Sequence, residues 1–269
     1  MITRRQLLQG AAASSLAVGA TGGYALAEPW RLAVTRYALT PSGWTPGLHL
    51  RIAALADFHF CDPWMTAEHT RRIVAQTNAL KPDAVVLLGD YEPGHRMSQL
   101  SRPVPRHAWA EALGELKAPF GVHAVLGNHD WWSDPQAQSQ RRAPAAERAL
   151  ISAGIAVHNN NAVRLVKDGK AFWIAGLADQ WALFKYNRPD THRARAGAWY
   201  QGLEDVPGTL AQVTDTAPIV LLAHEPDIFP KIPDRVALTM CGHTHGGQVT
   251  FMGYAPRVPS RFGRRYVYG

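Results

Sequence analysis

Cysteine is scarce in this chain. Cys61 and Cys241 are the whole supply, too few for a disulfide-built scaffold. Beyond residue 28 no stretch is long and apolar enough to span a bilayer. The same region holds no internal repeat, low-complexity segment or linker, which points to one domain. A Lys/Arg-rich helix or a basic motif interleaved with aromatics is also missing, so no nucleic-acid partner is expected. Charged residues make up only 18% of the 269, against 46% apolar, which fits a globular protein with a substantial core. The formal charge is +7, and residues 1–27 contribute only Arg4 and Arg5 to it. A basic surface suits phosphates or acidic lipid headgroups, or serves solubility alone.

The N-terminus reads as an export signal. Thr3-Arg4-Arg5-Gln6-Leu7-Leu8 precedes an Ala/Gly/Ser-rich run that ends in Ala25-Leu26-Ala27, an A-x-A-like cleavage site. The paired arginines followed by leucines look like a twin-arginine signal, which exports folded protein to the periplasm or beyond. The alternative is a retained membrane anchor from Leu7 to Ala27. Residues 1–27 are therefore set apart from the domain at 28–269.

From there the chain alternates. Apolar patterning predicts strands at 30–39, 48–56, 84–88, 122–126, 155–157, 162–167, 171–177, 219–223 and 236–240. Helices are predicted at 66–80, 106–117, 135–153 and 191–203, the first capped by Thr66. Asp168-Gly169 marks a hairpin. The order suggests an α/β fold of two packed sheets with helices outside.

Polar residues gather at strand ends. Asp57 and His59, Asp90, Asn128 and His129, His224, and His243 and His245 each follow an apolar run, at five separate ends. Sites in open α/β sheets form in the crevice at the carboxyl ends of strands. The turn Gly242-His243-Thr244-His245-Gly246-Gly247 can aim two imidazoles at one small volume. Carboxylate and amide oxygens mixed with imidazole suit Mn, Fe, Zn or Co, with Mg fitting in part, better than a structural zinc site. Cys61 and Cys241 read as buried small residues, with a soft ligand or a disulfide as the alternatives.

Asp57-Phe58-His59, Gly89-Asp90, Gly127-Asn128-His129-Asp130, His224 and Gly242-His243-Thr244-His245 resemble, in order, the five motifs of calcineurin-like metallophosphoesterases. The resemblance covers roughly residues 48–251. The Gly-Gly-Gln ending and the export signal look most like the exported or membrane-associated bacterial branch. That branch includes enzymes similar to UDP-2,3-diacylglucosamine pyrophosphatases and broad-range phosphodiesterases. The resemblance implies a four-layer α/β/β/α sandwich of two mixed sheets and two divalent metal ions. It places Asp57, His59 and His245 on the first metal, Asn128, His224 and His243 on the second, and Asp90 between them. His129 is left beside the metals as the catalytic group acting on phosphate. Two ions roughly 3.5–4 Å apart would activate a bridging hydroxide for in-line attack on a phosphodiester or pyrophosphate.

Asp130 or Glu92 is a candidate to orient His129. Phe60, Trp64, Trp131, Trp132 and Trp181 follow ligand motifs or strand ends and are candidates for substrate contact or for core packing. Arg257, Arg261, Arg264 and Arg265 form a tail without acids that could face anionic lipid, substrate or solvent. Tyr266-Val267-Tyr268-Gly269 reads as the start of a strand, as in a short or truncated member of the family. Two functions follow: hydrolysis of a phosphorylated small-molecule or lipid-linked substrate, at a membrane surface or free of one, or metal-dependent binding without catalysis. Retention of His129 favours hydrolysis, since a scaffold has no use for a proton donor there.

Overall fold

The structure is a computed structural model and describes residues 3–5, 22–24, 27–94, 100–185, 199–247, 250, 254–256 and 258–267. Residues 1–38 and 39–269 form separate compact units. In the first, Glu28–Trp30 makes one short 3-10 turn, and Arg31 bonds Glu28 at 3.0 Å. Most of the expected export signal lies outside the described residues. Among those described, no helix is long and apolar enough to cross a membrane. The strand predicted at 30–39 does not form: Leu32, Tyr37 and Leu39 stand exposed, and no strand pairs with them. Alternation alone does not make a strand when no ladder satisfies its backbone.

The second unit opens with β1 (Ile52–Leu55), shorter than expected, and a two-residue strand β2 (Cys61–Asp62). Helix α1 (Ala67–Ala79) starts where Thr66 accepts the His69 N–H at 3.1 Å. It buries His69, Thr70, Val74 and Thr77, one helical stripe, and stops as Lys81 turns left-handed before Pro82. Then come β3 (Ala84–Leu88), β4 (Arg102–Pro103), α2 (Arg106–Gly114), β5 (Val122–Val125) and α3 (Asn128–Trp132). The long helix predicted at 135–153 is two, α4 (Pro135–Gln140) and α5 (Ala145–Ser152). Arg141 turns left-handed and Pro144 cannot donate a helical bond, so the chain breaks between them.

Strands β6 (Ala156–Val157), β7 (Asn161–Lys167) and β8 (Lys170–Gly176) follow. Asp168 and Gly169, both at positive φ, close the β7–β8 hairpin as expected. Next are β9 (Leu183–Phe184) and β10 (Tyr200–Gln201), paired antiparallel. Of the helix expected at 191–203, residues 191–198 lie outside the description, and Tyr200–Gln201 is a strand. Helix α6 (Val206–Leu210), β11 (Ile219–Leu222) and β12 (Leu238–Met240) complete the set. A 3-10 segment, Pro226–Lys231, stands between the last two strands. Residues 261–266 form turns and Val267 a bend; of the strand expected to start at Tyr266, residues 268–269 lie outside the described residues.

Two four-stranded sheets result. The first, β1-β3-β5-β6, is parallel throughout, each crossover carrying a helix. The second, β12-β11-β8-β7, is mixed, with β7 alone antiparallel. Side-chain alternation sorts the core into three interfaces. Ala84, Val86 and Leu88 of β3 face Phe172, Ile174, Val220 and Leu222 between the sheets. Val85 and Leu87 pack outward against α1, α2 and α5 through Val74, Trp109, Leu113 and Leu150. Trp173, Ala175, Ile219 and Leu221 pack outward against Val206 and Ile228. Three interfaces make four layers, α/β/β/α. Each buried Val or Leu contributes about 1.5–3 kcal/mol, so the register that keeps these faces inward is strongly fixed.

Candidate metal centre

Parallel strands present all their carboxyl ends on one edge. β1, β3 and β5 deliver Asp57, His59, Asp90, Asn128 and His129 there, and β11 and β12 deliver His224, His243 and His245. The two sheets meet at this edge. His224 Nδ1–H donates to Leu88 O at 2.6 Å, and His243 N–H lies 3.0 Å from each Asp57 carboxylate oxygen. All the predicted ligands stand on this edge. Two groups of three, Asp57–His59–His245 and Asp90–His224–His243, have ligand atoms lying within 4.8 Å of one another.

Asp90 stands between the groups. Its Oδ2 is 3.6 Å from His59 Nε2 and 3.2 Å from His224 Nε2, while Oδ1 accepts the His129 N–H at 2.9 Å. Burial pushes the Asp90 carboxyl up, but the charge of His224 and then of His129 outweighs it and holds the group well below the usual range. Burial drives His59 down to about 4 and His243 down to about 3, which keeps both rings neutral near pH 7.

The donor set suits a cation. His59 Nδ1–H is committed to Glu92 O at 3.0 Å, so Nε2 bears a lone pair. That nitrogen faces His245 Nε2 at 3.1 Å, and His245 Nε2 also lies 3.3 Å from Asp57 Oδ1. Asn128 Oδ1 and His243 Nε2 are buried with no hydrogen-bond partner among the described residues, a costly state in the absence of an ion or water. The residues flanking Asn128 both touch Asp90: His129 by its N–H, and Gly127 so closely that a Cβ would lie 2.3 Å from Oδ1.

The backbone is strained for this purpose. Asp57, His59, Asp90, His243 and His245 all have positive φ, between 44° and 70°. Such conformations cluster where a site needs them. Gly89, at φ 94°, admits the approach of Gly127 N and His224 Nδ1 to where its Cβ would be, at 2.6 and 2.7 Å.

Two expected roles change. Asp130 does not orient His129. Its carboxylate accepts the backbone N–H groups of Asp90, Tyr91, Glu92 and Gly127 at 2.8–3.1 Å, tying the loop after β3 to the start of α3. The sequence signal was there, since an acid at the third helical position reaches back to the cap N–H. Glu92 is engaged by Arg106 Nε at 2.5 Å, so its carboxylate is committed elsewhere. His129 is held by packing instead. Its ring meets those of His59 and Trp132 edge-on, each at 5.0 Å.

Trp131 and Phe60 are buried and pack in the outer core. Trp64 is half-buried. Trp181 meets the His243 ring at 4.6 Å, and Tyr200 stacks between Trp181 and Trp132. Tyr200 and Phe184 join this aromatic wall from β10 and β9, which composition did not single out. β8 is a sixth contributing strand: Trp181, expected from the sequence, follows its carboxyl end together with Asp179 and Gln180, which the sequence reading did not single out. Neither cysteine is in a disulfide, and burial raises both thiols, Cys241 to about 12, so neither offers a thiolate.

The profile of the calcineurin-like phosphoesterase family matches residues 50–247. The chain belongs to that family. It is 30% identical to the metallophosphoesterase YkuE of Bacillus subtilis, over all of this chain and 85% of that one. It is 27% identical to the phosphodiesterase YaeI of Escherichia coli, over all of this chain and 91% of the other. A transmembrane protein with a metallophosphoesterase domain from Danio rerio is 33% identical over 74% of this chain, which spans 41% of that protein. This metallophosphoesterase is a hydrolase of phosphoester bonds, from a family that works with divalent metal ions.

Proposed function

We propose that this metallophosphoesterase holds two divalent ions and hydrolyses a phosphodiester or pyrophosphate bond in a phosphorylated small-molecule or lipid-linked substrate. Asp57, His59 and His245 would hold one ion, and Asn128, His224 and His243 the other, with Asp90 shared. One observation carries this reading: a single carboxylate oxygen, Asp90 Oδ2, lies 3.6 Å from a nitrogen of the first group and 3.2 Å from one of the second. A shared ligand must be anionic with two lone-pair faces, which an imidazole lacks. Bound ions would grip phosphate oxygens and lower the pKa of a water. The chain's own work is positional. The Leu88 and Glu92 carbonyls fix the tautomers of His224 and His59. Asp130 holds the Asp90 backbone, and His129 stands ready to stabilise phosphate charge or protonate the leaving oxygen.

The name of the Escherichia coli relative supports the diester. Thr3–Leu8, read as a twin-arginine signal, supports work in the periplasm or outside the cell, with residues 1–27 as the signal and 28–269 as the working domain. A module that only binds metal would retain the ligands but gain nothing from His129. The test is hydrolysis of bis-p-nitrophenyl phosphate by the full chain. Turnover is expected with added Mn and none after chelation; equal turnover in both would remove the metal from the chemistry.

A further inference from the structure

The last described stretch of the chain, 258–267, exposes aromatic rings beside guanidinium groups. Phe229 is 55% exposed and Phe262 42% exposed, and both rings meet Tyr266, at 5.5 and 5.6 Å between centroids. Arg265 lies over Tyr266 at 5.5 Å, and Arg264 over the exposed Tyr254 at 4.3 Å. Arg261, Arg264 and Arg265 are all exposed. No acid follows Asp234 in the sequence. Asp227, beneath the patch, is buried and accepts the Ser260 hydroxyl and the Arg261 N–H, and its Oδ2 lies 3.9 Å from Arg261 Nε, so it offsets part of the Arg261 charge and leaves Arg264 and Arg265 as the main cationic groups. Aromatic rings and guanidinium groups therefore share one face.

That face adjoins the metal-ligand turn. Thr244 Oγ donates to Val267 O at 3.4 Å, and a Cβ on Gly247 would lie 2.3 Å from that of Ala255. The segment is thus seated on the turn that carries His243 and His245.

We propose that Phe229, Tyr254, Phe262 and Tyr266, with Arg261, Arg264 and Arg265, dock this protein on the headgroup region of an anionic phospholipid bilayer. The charge is complementary: arginines near a negative leaflet are attracted, and the attraction fades within a Debye length. The rings decide between a bilayer and a soluble polyanion. Exposed phenylalanine gains from the acyl boundary and finds no apolar contact on a polyphosphate; single-stranded nucleic acid, whose bases also stack on rings, is the competitor that the test below includes. Docking there brings the turn bearing His243 and His245 to the level of lipid phosphates. The inference rests on this surface and not on the metal chemistry.

Sedimentation of the full chain with vesicles tests it. It is expected to pellet with vesicles containing about one-third phosphatidylglycerol and to stay in solution with pure phosphatidylcholine. Arg264→Ser with Arg265→Ser should weaken binding roughly thirtyfold, and Phe262→Ser should weaken it several-fold. Lysines at both arginine positions should restore most of it. Bis-p-nitrophenyl phosphate turnover serves as the folding check, and its absence in the unaltered chain would count against the catalytic reading, not against docking. Serine variants that pellet like the unaltered chain would overturn the proposal, because residues 1–27 would then carry the binding. Equal binding to neutral and anionic vesicles, or tighter retention by single-stranded DNA at equal phosphate, would overturn it too.

Discussion

Among the described residues, His129 is positioned by packing rather than by a hydrogen bond to its ring. A Cβ at Gly94 would lie 1.6 Å from its Nδ1, so the backbone of residue 94 is one wall of its slot. His59 and Trp132 are two more. Its backbone N–H, not its ring, bonds Asp90. His129→Ala should therefore leave the metal content intact and lower turnover by roughly two to four decades. Metal analysis beside steady-state rates checks this. An unchanged rate would remove the residue from the chemistry, and loss of metal along with rate would make the ring a ligand. The family resemblance pointed to this histidine, but two of its three supports, Gly94 and His59, come from residues at least 35 positions away in sequence, which local pattern does not reveal. Asp130 was misread for the same reason: three of its four N–H donors lie across the fold on the loop after β3.

Among the elements, β5 carries a feature unrelated to the metal edge. His123 Nδ1 lies 2.9 Å from His158 Nε2, with the rings stacked at 5.1 Å and both residues buried. Burial and then the charge of His123 hold His158 down to about 4, and burial lowers His123 as well. A histidine depressed below its unfolded value leaves the unfolded chain holding more protons as pH falls. Stability is therefore full above about pH 6.5 and lost progressively toward pH 4, by on the order of 3 kcal/mol for His158. Thermal melts of the metal-free chain across this range should show the loss, and His158→Gln should flatten it. An equal slope in both would contradict the assignment. Elements with strong local signals were legible from the sequence: α1 with its Thr66 cap, the Asp168-Gly169 hairpin, and the continuous apolar run of β3. The strand expected at 30–39 failed because strand formation depends on a partner, which no single stretch encodes. The split between α4 and α5 has a sequence cause in Pro144, which cannot donate a helical bond, although the stretch keeps helical periodicity on both sides.

Taken as a whole, the molecule brings two sheets together at one edge and closes that edge with bonds between distant residues. Asp57 and His243, 186 positions apart, and Leu88 and His224, 136 apart, are joined there. Five strand ends bearing Asp, Asn or His made the centre readable as a pattern, because parallel strands must deliver their carboxyl ends together. The aromatic wall was not readable in full, since Phe184 and Tyr200 belong to short strands with no periodic signal. The convergence of both ligand groups on Asp90 is the central claim, and elemental analysis of the purified chain tests it most directly. The expected result is two divalent ions per chain, with both reduced together in Asp90→Asn. A single ion per chain, or full occupancy in that variant with undiminished turnover, would contradict it.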